Sequence, residues 1–159
     1  MPQQRTQSAS EEALNCLAIE LFRMFSRFEY ALKATGFHNG DGDAKPNWRD
    51  FALSIETQLQ NPHSTELQEA IEYLLRHAPK KQMIKNGIFE WSDAKPDTNS
   101  RADLILQYIR RIRNNLFHGG KFNQHWFDPE RDKELLRHSL IILKGCLEAS
   151  PKVTATYHS

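Results

Sequence analysis

Cysteine is scarce in this chain: Cys16 and Cys146 are the only two in 159 residues. So few, so far apart, exclude a small secreted scaffold stapled by disulfides. Both fall within helical patterns and are read as small core residues in a reducing compartment. Long apolar runs are lacking too, and no stretch reaches the roughly 20 residues needed to span a bilayer. The opening Met-Pro-Gln-Gln-Arg-Thr-Gln-Ser has no apolar core of a secretory signal. A cytoplasmic protein with no membrane partner is therefore expected. An excess of one charge is absent as well. The formal net charge is +1, so any nucleic-acid footprint must be local.

Metal and cofactor signatures are equally thin. The histidines and cysteines show no zinc-ligand spacing. The turn-rich run from His38 to Asp43 lacks the spaced acids and closing glutamate of a calcium loop. Gly119-Gly120-Lys121 follows a helical pattern, whereas a phosphate-cradling loop would open one. No metal and no cofactor are expected.

What the chain does have is helical periodicity. Its size allows one domain with a real core, at 39% hydrophobic and 26% charged residues. Residues 1–9 are read as a disordered tail, residues 10–150 as one helical domain and residues 151–159 as a C-terminal tail. Ser8 with Glu11 fits a capping box, and Leu14, Leu17, Leu21, Phe25, Phe28 and Leu32 then form one stripe that Gly36 ends. A second helix starts near Asn47, with Trp48, Phe51, Ala52, Ile55 and Leu59 inward, and Asn61-Pro62 breaks it. Leu67, Ala70, Ile71, Leu74, Leu75 and Ala78 mark a third, which ends at Pro79. A fourth runs from Ser100 to His118 on Ile105, Ile109, Ile112 and Leu116, widened by Leu104 and Tyr108. Asp128 and Pro129 open the last, with Leu136, Leu140, Leu143 and Leu147 as its stripe. The fold class expected is all-α, an antiparallel bundle of about five helices.

Residues 79–100 read as a long connection. It carries Ile84, Ile88, Phe89 and Trp91, too many apolar groups to leave in water, and is expected to fold over the bundle or a partner.

Chemistry concentrates on the fourth helix. From Arg101 to Lys121 there are five basic residues and one acidic residue, Asp103. Arg110, Asn114 and His118 lie four apart on a polar arc opposite the apolar stripe, with Arg113 at its margin. Arg113 and His118 are roughly 140° apart on an ideal helix. Two copies packed about a twofold axis could pool both pairs in one cleft. An imidazole can take the proton of a ribose 2′-hydroxyl or give one to the leaving oxygen, and a guanidinium stabilises charge gathering on the phosphoryl oxygens. Arg110, Lys121, Lys80 and Lys81 are candidate RNA contacts. The bland alternatives stay open: solvated arginines, a histidine capping the helix C-terminus, and a plain solvated face for the lysines. Adjacent asparagines in a helix interior are poor helix formers and suggest another task. Glu29 and Lys33, at i and i+4, read as a surface ion pair. His125 beside Trp126 and Phe127 reads as a packed loop cap, with base stacking as its alternative.

Arg113-Asn114-Asn115-Leu116-Phe117-His118-Gly119 resembles the R-x(4–6)-H signature of the HEPN superfamily (higher eukaryotes and prokaryotes nucleotide-binding domains), with a polar residue after the arginine. Phe25-Ser26-Arg27-Phe28-Glu29-Tyr30-Ala31-Leu32-Lys33 is similar to the first helix of small single-domain members. Asp128-Pro129-Glu130-Arg131-Asp132 is similar to the start of their last helix. The resemblance spans residues 17–147. It implies a HEPN-like all-α homodimer that cuts RNA without a metal, with Arg113 and His118 catalytic and Asn114 in support. It further implies a toxin–antitoxin or anti-phage context, in which a separate antitoxin or regulatory protein is a partner. A non-catalytic RNA- or nucleotide-binding module, or a protein-interaction module, is the alternative.

Overall fold

The computed structural model of the chain describes residues 2–118 and 128–159, with side chains from residue 9. Seven helices and one two-stranded sheet lie among them: α1 (Pro2–Ala34), α2 (Trp48–Ser54), α3 (Glu56–Gln60), α4 (Thr65–Arg76), β1 (Lys81–Lys85), β2 (Ile88–Ser92), α5 (Arg101–Phe117), α6 (Pro129–Glu148) and α7 (Pro151–Tyr157). The mostly helical expectation holds. None of the described helices is long and apolar enough to cross a membrane.

The helix starts follow the side chains that precede them. Asn47, Ser64, Ser100 and Asp128 each accept a hydrogen bond from a backbone N–H of the first turn, replacing a partner that the helix itself cannot supply. Pro129 adds a preset φ at the start of α6. The first helix differs from expectation. It is continuous from Pro2, so Ser8 lies within it and does not cap it.

The expected second helix is two. It breaks at Ile55, whose N–H turns back to the Ala52 carbonyl. Within residues 151–159, where a tail is expected, Pro151–Tyr157 form α7. Val153 is buried beneath it, and Arg27 on α1 holds its end through the Tyr157 carbonyl at 2.8 Å and the Tyr157 ring.

One apolar cluster fills the interior, drawn from every helix except the exposed ends. Within it, α5 is central: it touches α1, α2, α3, α4, α6 and β1. Ala102 to Leu106, Tyr108, Ile109 and Ile112 are all buried, which covers most of the helix circumference. An amphipathic stripe buries one side only. The polar arc expected along α5 is thus closed over most of its length and opens only in the last turns.

Glu56 fixes the other end of this helix. Its carboxylate accepts hydrogen bonds from the Ser100 hydroxyl and from the backbone N–H groups of Arg101 and Ala102, the last two at 3.0 Å. A negative group there meets the positive end of the helix dipole.

The largest correction concerns residues 79–100. They hold an antiparallel hairpin, paired Lys81↔Ser92 through Lys85↔Ile88 and turned by Asn86 and Gly87, both at positive φ. That two-residue turn matches the twist of the strands. The apolar side chains do not fold over the bundle: Ile84 and Ile88 are 67% and 68% exposed, Phe89 53% and Trp91 41%. The cysteines also part company. Cys146 is buried, which pushes its thiol up to about 12, while Cys16 is exposed.

Candidate functional site

The last turns of α5 and the middle of α1 enclose an open groove of about 270 Å³. Phe22, Phe25, Ser26 and Glu29 line it from α1; Arg113, Asn114, Phe117 and His118 line it from the end of α5. Arg113 and His118, well apart on an ideal helix, thus share one groove. His118 helps because it is the C-cap, with φ −100° and ψ 32°, and so leaves the helical path. Its N–H bonds the Asn114 carbonyl at 2.8 Å, and its side chain is exposed.

Arg113 is held on three sides. Its Nε and Nη2 both donate to Asn114 Oδ1, at 3.2 and 2.9 Å. Its Nη1 donates to Glu29 Oε1 at 2.7 Å. Its guanidinium carbon lies 4.5 Å from the centre of the Phe25 ring, a cation–π arrangement. A guanidinium has five N–H donors, and three are engaged by these bonds. The planar group is therefore fixed before any ligand arrives.

Glu29 is the residue sequence reasoning missed. It pairs with Arg113 where an ion pair with Lys33 is expected, and its Oε1 also accepts from Trp48 Nε1 at 3.1 Å. Trp48 is itself wedged between Phe25 and Phe28, with ring centres 5.0 and 5.1 Å away. A faint signal was present: Glu29 lies four residues after Phe25 and three before Leu32, so it continues the apolar stripe of α1. An acid in that register must find a partner inside.

The other candidates spread out. Arg110 does not reach the groove wall. It is half-buried beside Asp103, its Nε is enclosed without a hydrogen-bond partner, and burial lowers its pKa while Asp103 opposes that shift. Lys80 and Lys81 sit at the root of the hairpin. Lys80 lies 3.9 Å from Asp93, and neither lysine lines the groove. Lys121, the two glycines before it, and His125, Trp126 and Phe127 lie outside the described residues. Among the described residues, no group of three His, Cys, Asp or Glu side chains could hold a metal.

The groove rim is apolar. Phe22 and Phe117 stack at 5.6 Å across α1 and α5 while 49% and 64% exposed, and Ile19, one turn before Phe22, is 52% exposed. A partly buried guanidinium and an exposed imidazole in one groove, beside exposed rings, suit a phosphate-bearing ligand that also offers flat surfaces.

No protein-family model, curated protein or solved structure matches the chain. Its class is defined by its own features: a helical bundle with a projecting hairpin and a groove holding an oriented arginine and an exposed histidine.

Proposed function

We propose that the chain is a HEPN-type, metal-independent endoribonuclease that works as a homodimer, in a toxin–antitoxin or anti-phage context. One observation carries this reading: Arg113, Asn114 and His118, the residues matching the R-x(4)-H pattern, line a single open groove with the guanidinium already oriented.

The chemistry follows from those groups. The ribose 2′-oxygen attacks the adjacent phosphorus, and an imidazole takes its proton. The bond from phosphorus to the 5′-oxygen breaks, and a protonated imidazole supplies the proton that the leaving oxygen needs. The products are a 2′,3′-cyclic phosphate and a 5′-hydroxyl. Arg113 stabilises the charge on the phosphoryl oxygens, and Asn114 holds Arg113 in plane. Two imidazoles serve the two proton transfers, one from each copy of the chain. The exposed Ile19, Phe22 and Phe117 are the apolar surface that a second copy would cover. DNA lacks the nucleophile and is spared.

The test incubates RNA with the protein in chelator, alongside His118→Ala and Arg113→Ala. Cleavage to cyclic-phosphate ends, lost in both variants, is expected. Undiminished cleavage in both would remove these residues from the mechanism.

A second reading has its own support. The hairpin leaves Ile84, Ile88 and Phe89 more than half exposed, which favours a protein-interaction module or a non-catalytic binder of RNA or nucleotide on the same fold. Salt-dependent RNA binding without products, or a stable complex lost on hairpin substitution, would select it.

A further inference from the structure

Three features bear on how strongly the groove holds an anion. Arg113 is ion-paired to Glu29 at 2.7 Å within the same chain. Glu29 is in turn anchored to Trp48, which is 3% exposed. And Arg113 has two further supports, the Asn114 amide oxygen and the Phe25 ring, that involve no charge.

We infer that Glu29 is the resident counter-ion of Arg113, an internal competitor that any phosphate must outbid, so that removing its charge tightens anion binding. The inference rests on reading the groove as a phosphate site. The sign could have been the reverse, since an acid beside an arginine can act as a strut that aims it. Here the strut is redundant. Two donors meet Asn114 and the face meets Phe25, so the guanidinium stays in place without Glu29. What only Glu29 supplies is a negative charge.

The pair is partly shielded, with Arg113 30% and Glu29 25% exposed, so solvent does not wash the interaction out. A phosphodiester entering the groove meets an arginine already largely neutralised. Binding then requires the guanidinium to be shared or taken, while Trp48 retains the carboxylate. The energy of that exchange raises the ligand concentration at which the groove fills. Glu29 therefore sets affinity through Arg113 as a positioning and charge-balancing residue, without touching the reacting atoms.

Glu29→Gln isolates the effect, because it keeps the shape and a carbonyl oxygen for Trp48 and Arg113 while deleting the charge. The probe is a single-stranded oligodeoxynucleotide, which offers phosphodiesters but no 2′-hydroxyl and so cannot be cut by the proposed chemistry. Glu29→Gln is expected to bind it about tenfold more tightly than the native chain. The slope of log K against log salt should steepen by about 0.7, the contribution of one more phosphate contact on a single strand. A spectroscopic readout separates this from a structural effect. With Trp91 and Trp126 replaced by Phe, the emission of Trp48 should shift as the oligonucleotide is added to the native Glu29 protein, and stay unchanged in Glu29→Gln. Glu29→Asp, which keeps the charge but draws it back, should fall between the two and serves if Glu29→Gln folds poorly.

Equal or weaker binding by Glu29→Gln would overturn the inference, as would no binding by any variant. The ribonuclease reading stands or falls separately, on RNA cleavage and its loss in His118→Ala. A chain that cuts RNA while Glu29→Gln fails to tighten refutes only the counter-ion. Tighter binding by a chain that cuts nothing refutes only the nuclease.

Discussion

Glu56 Oε2 accepts the backbone N–H of Ala102 at 3.0 Å, joining the short helix α3 to the start of the central helix α5. The same carboxylate takes the Arg101 N–H and the Ser100 hydroxyl, and Ser100 Oγ in turn accepts from Asp103 N–H. One side chain from 46 residues away thereby serves the helix start that Ser100 alone would half satisfy. Glu56→Gln is expected to cost about 1–2 kcal/mol, because it removes charge-assisted bonds while keeping the shape. In a chain of this size that is a fall of about 2–8 °C in Tm, read by thermal unfolding at neutral pH.

The same residue sets an acid limit. Burial alone would raise the Glu56 pKa, but the bonds from Ser100, Ala102, Arg101 and Gln60 outweigh it and hold the carboxyl below its ordinary 4.5. The unfolded chain therefore binds this proton first. The contribution is fully present above pH 4.5 and is lost as pH falls through the depressed folded value. Urea midpoints measured downward from pH 5 should drop more steeply in the native protein than in Glu56→Gln.

A second pH effect is expected higher on the scale. His138 is 7% exposed, its ring stacked on Tyr73 with centres 4.3 Å apart. Burial lowers its pKa from the ordinary 6.5, with Arg137 pushing the same way and Glu134 and Glu69 opposing. The folded chain resists a proton that the unfolded chain accepts. Stability should thus decline as pH falls below 6.5 and level off at the folded value. His138→Phe keeps a ring against Tyr73 and should flatten that part of the profile between pH 7 and 5.

Gly145 lies where α6 packs against Leu67 of α4. A Cβ there would lie 2.8 and 2.9 Å from the two Cδ atoms of Leu67, which is itself buried. Gly145→Ala gains roughly 1 kcal/mol of helix propensity yet overpacks a filled seam at a cost of about 1–3 kcal/mol. A net loss near 1 kcal/mol is expected in denaturant unfolding. In a Leu67→Val background the loss should shrink, since the two positions share one contact.

Asn114 gives a prediction specific to the site. Its Oδ1 takes two donors from Arg113 and is the uncharged half of that arginine's support. Asn114→Ala should lower kcat for RNA by about ten- to a hundredfold, with Tm within about 2 °C of native, because the side chain is exposed. Asn114→Asp adds a second carboxylate to Arg113 and should weaken RNA binding more than it slows the bound complex.

How much of this was legible in the sequence depends on distance along the chain. Both ends of α5 could be read locally, at Ser100 and at His118. So could the Asp128-Pro129 start of α6. The hairpin was harder. Asn86-Gly87 is a strong turn signal, but the alternation on either side names a buried face, and among the described residues Ile84 and Phe89 stay 67% and 53% exposed. The break at Ile55 has no glycine or proline to announce it, and α7 offers a single buried residue, Val153. In the candidate site, Arg113, Asn114 and His118 stood out from spacing and resemblance, whereas Arg110 proved to be half-buried. The bond from Arg113 to Glu29 spans 84 residues and two helices, and no local pattern encodes it.

The paired asparagines grip opposite neighbours. Asn114 holds Arg113 toward α1, while Asn115 Nδ2 donates to the Lys80 carbonyl at the hairpin root, 2.9 Å away. The hairpin is in effect a handle bolted to the turn that bears the groove. The stretch of α5 that aims the arginine is thus the same stretch that seats the hairpin, through two adjacent amides facing different elements.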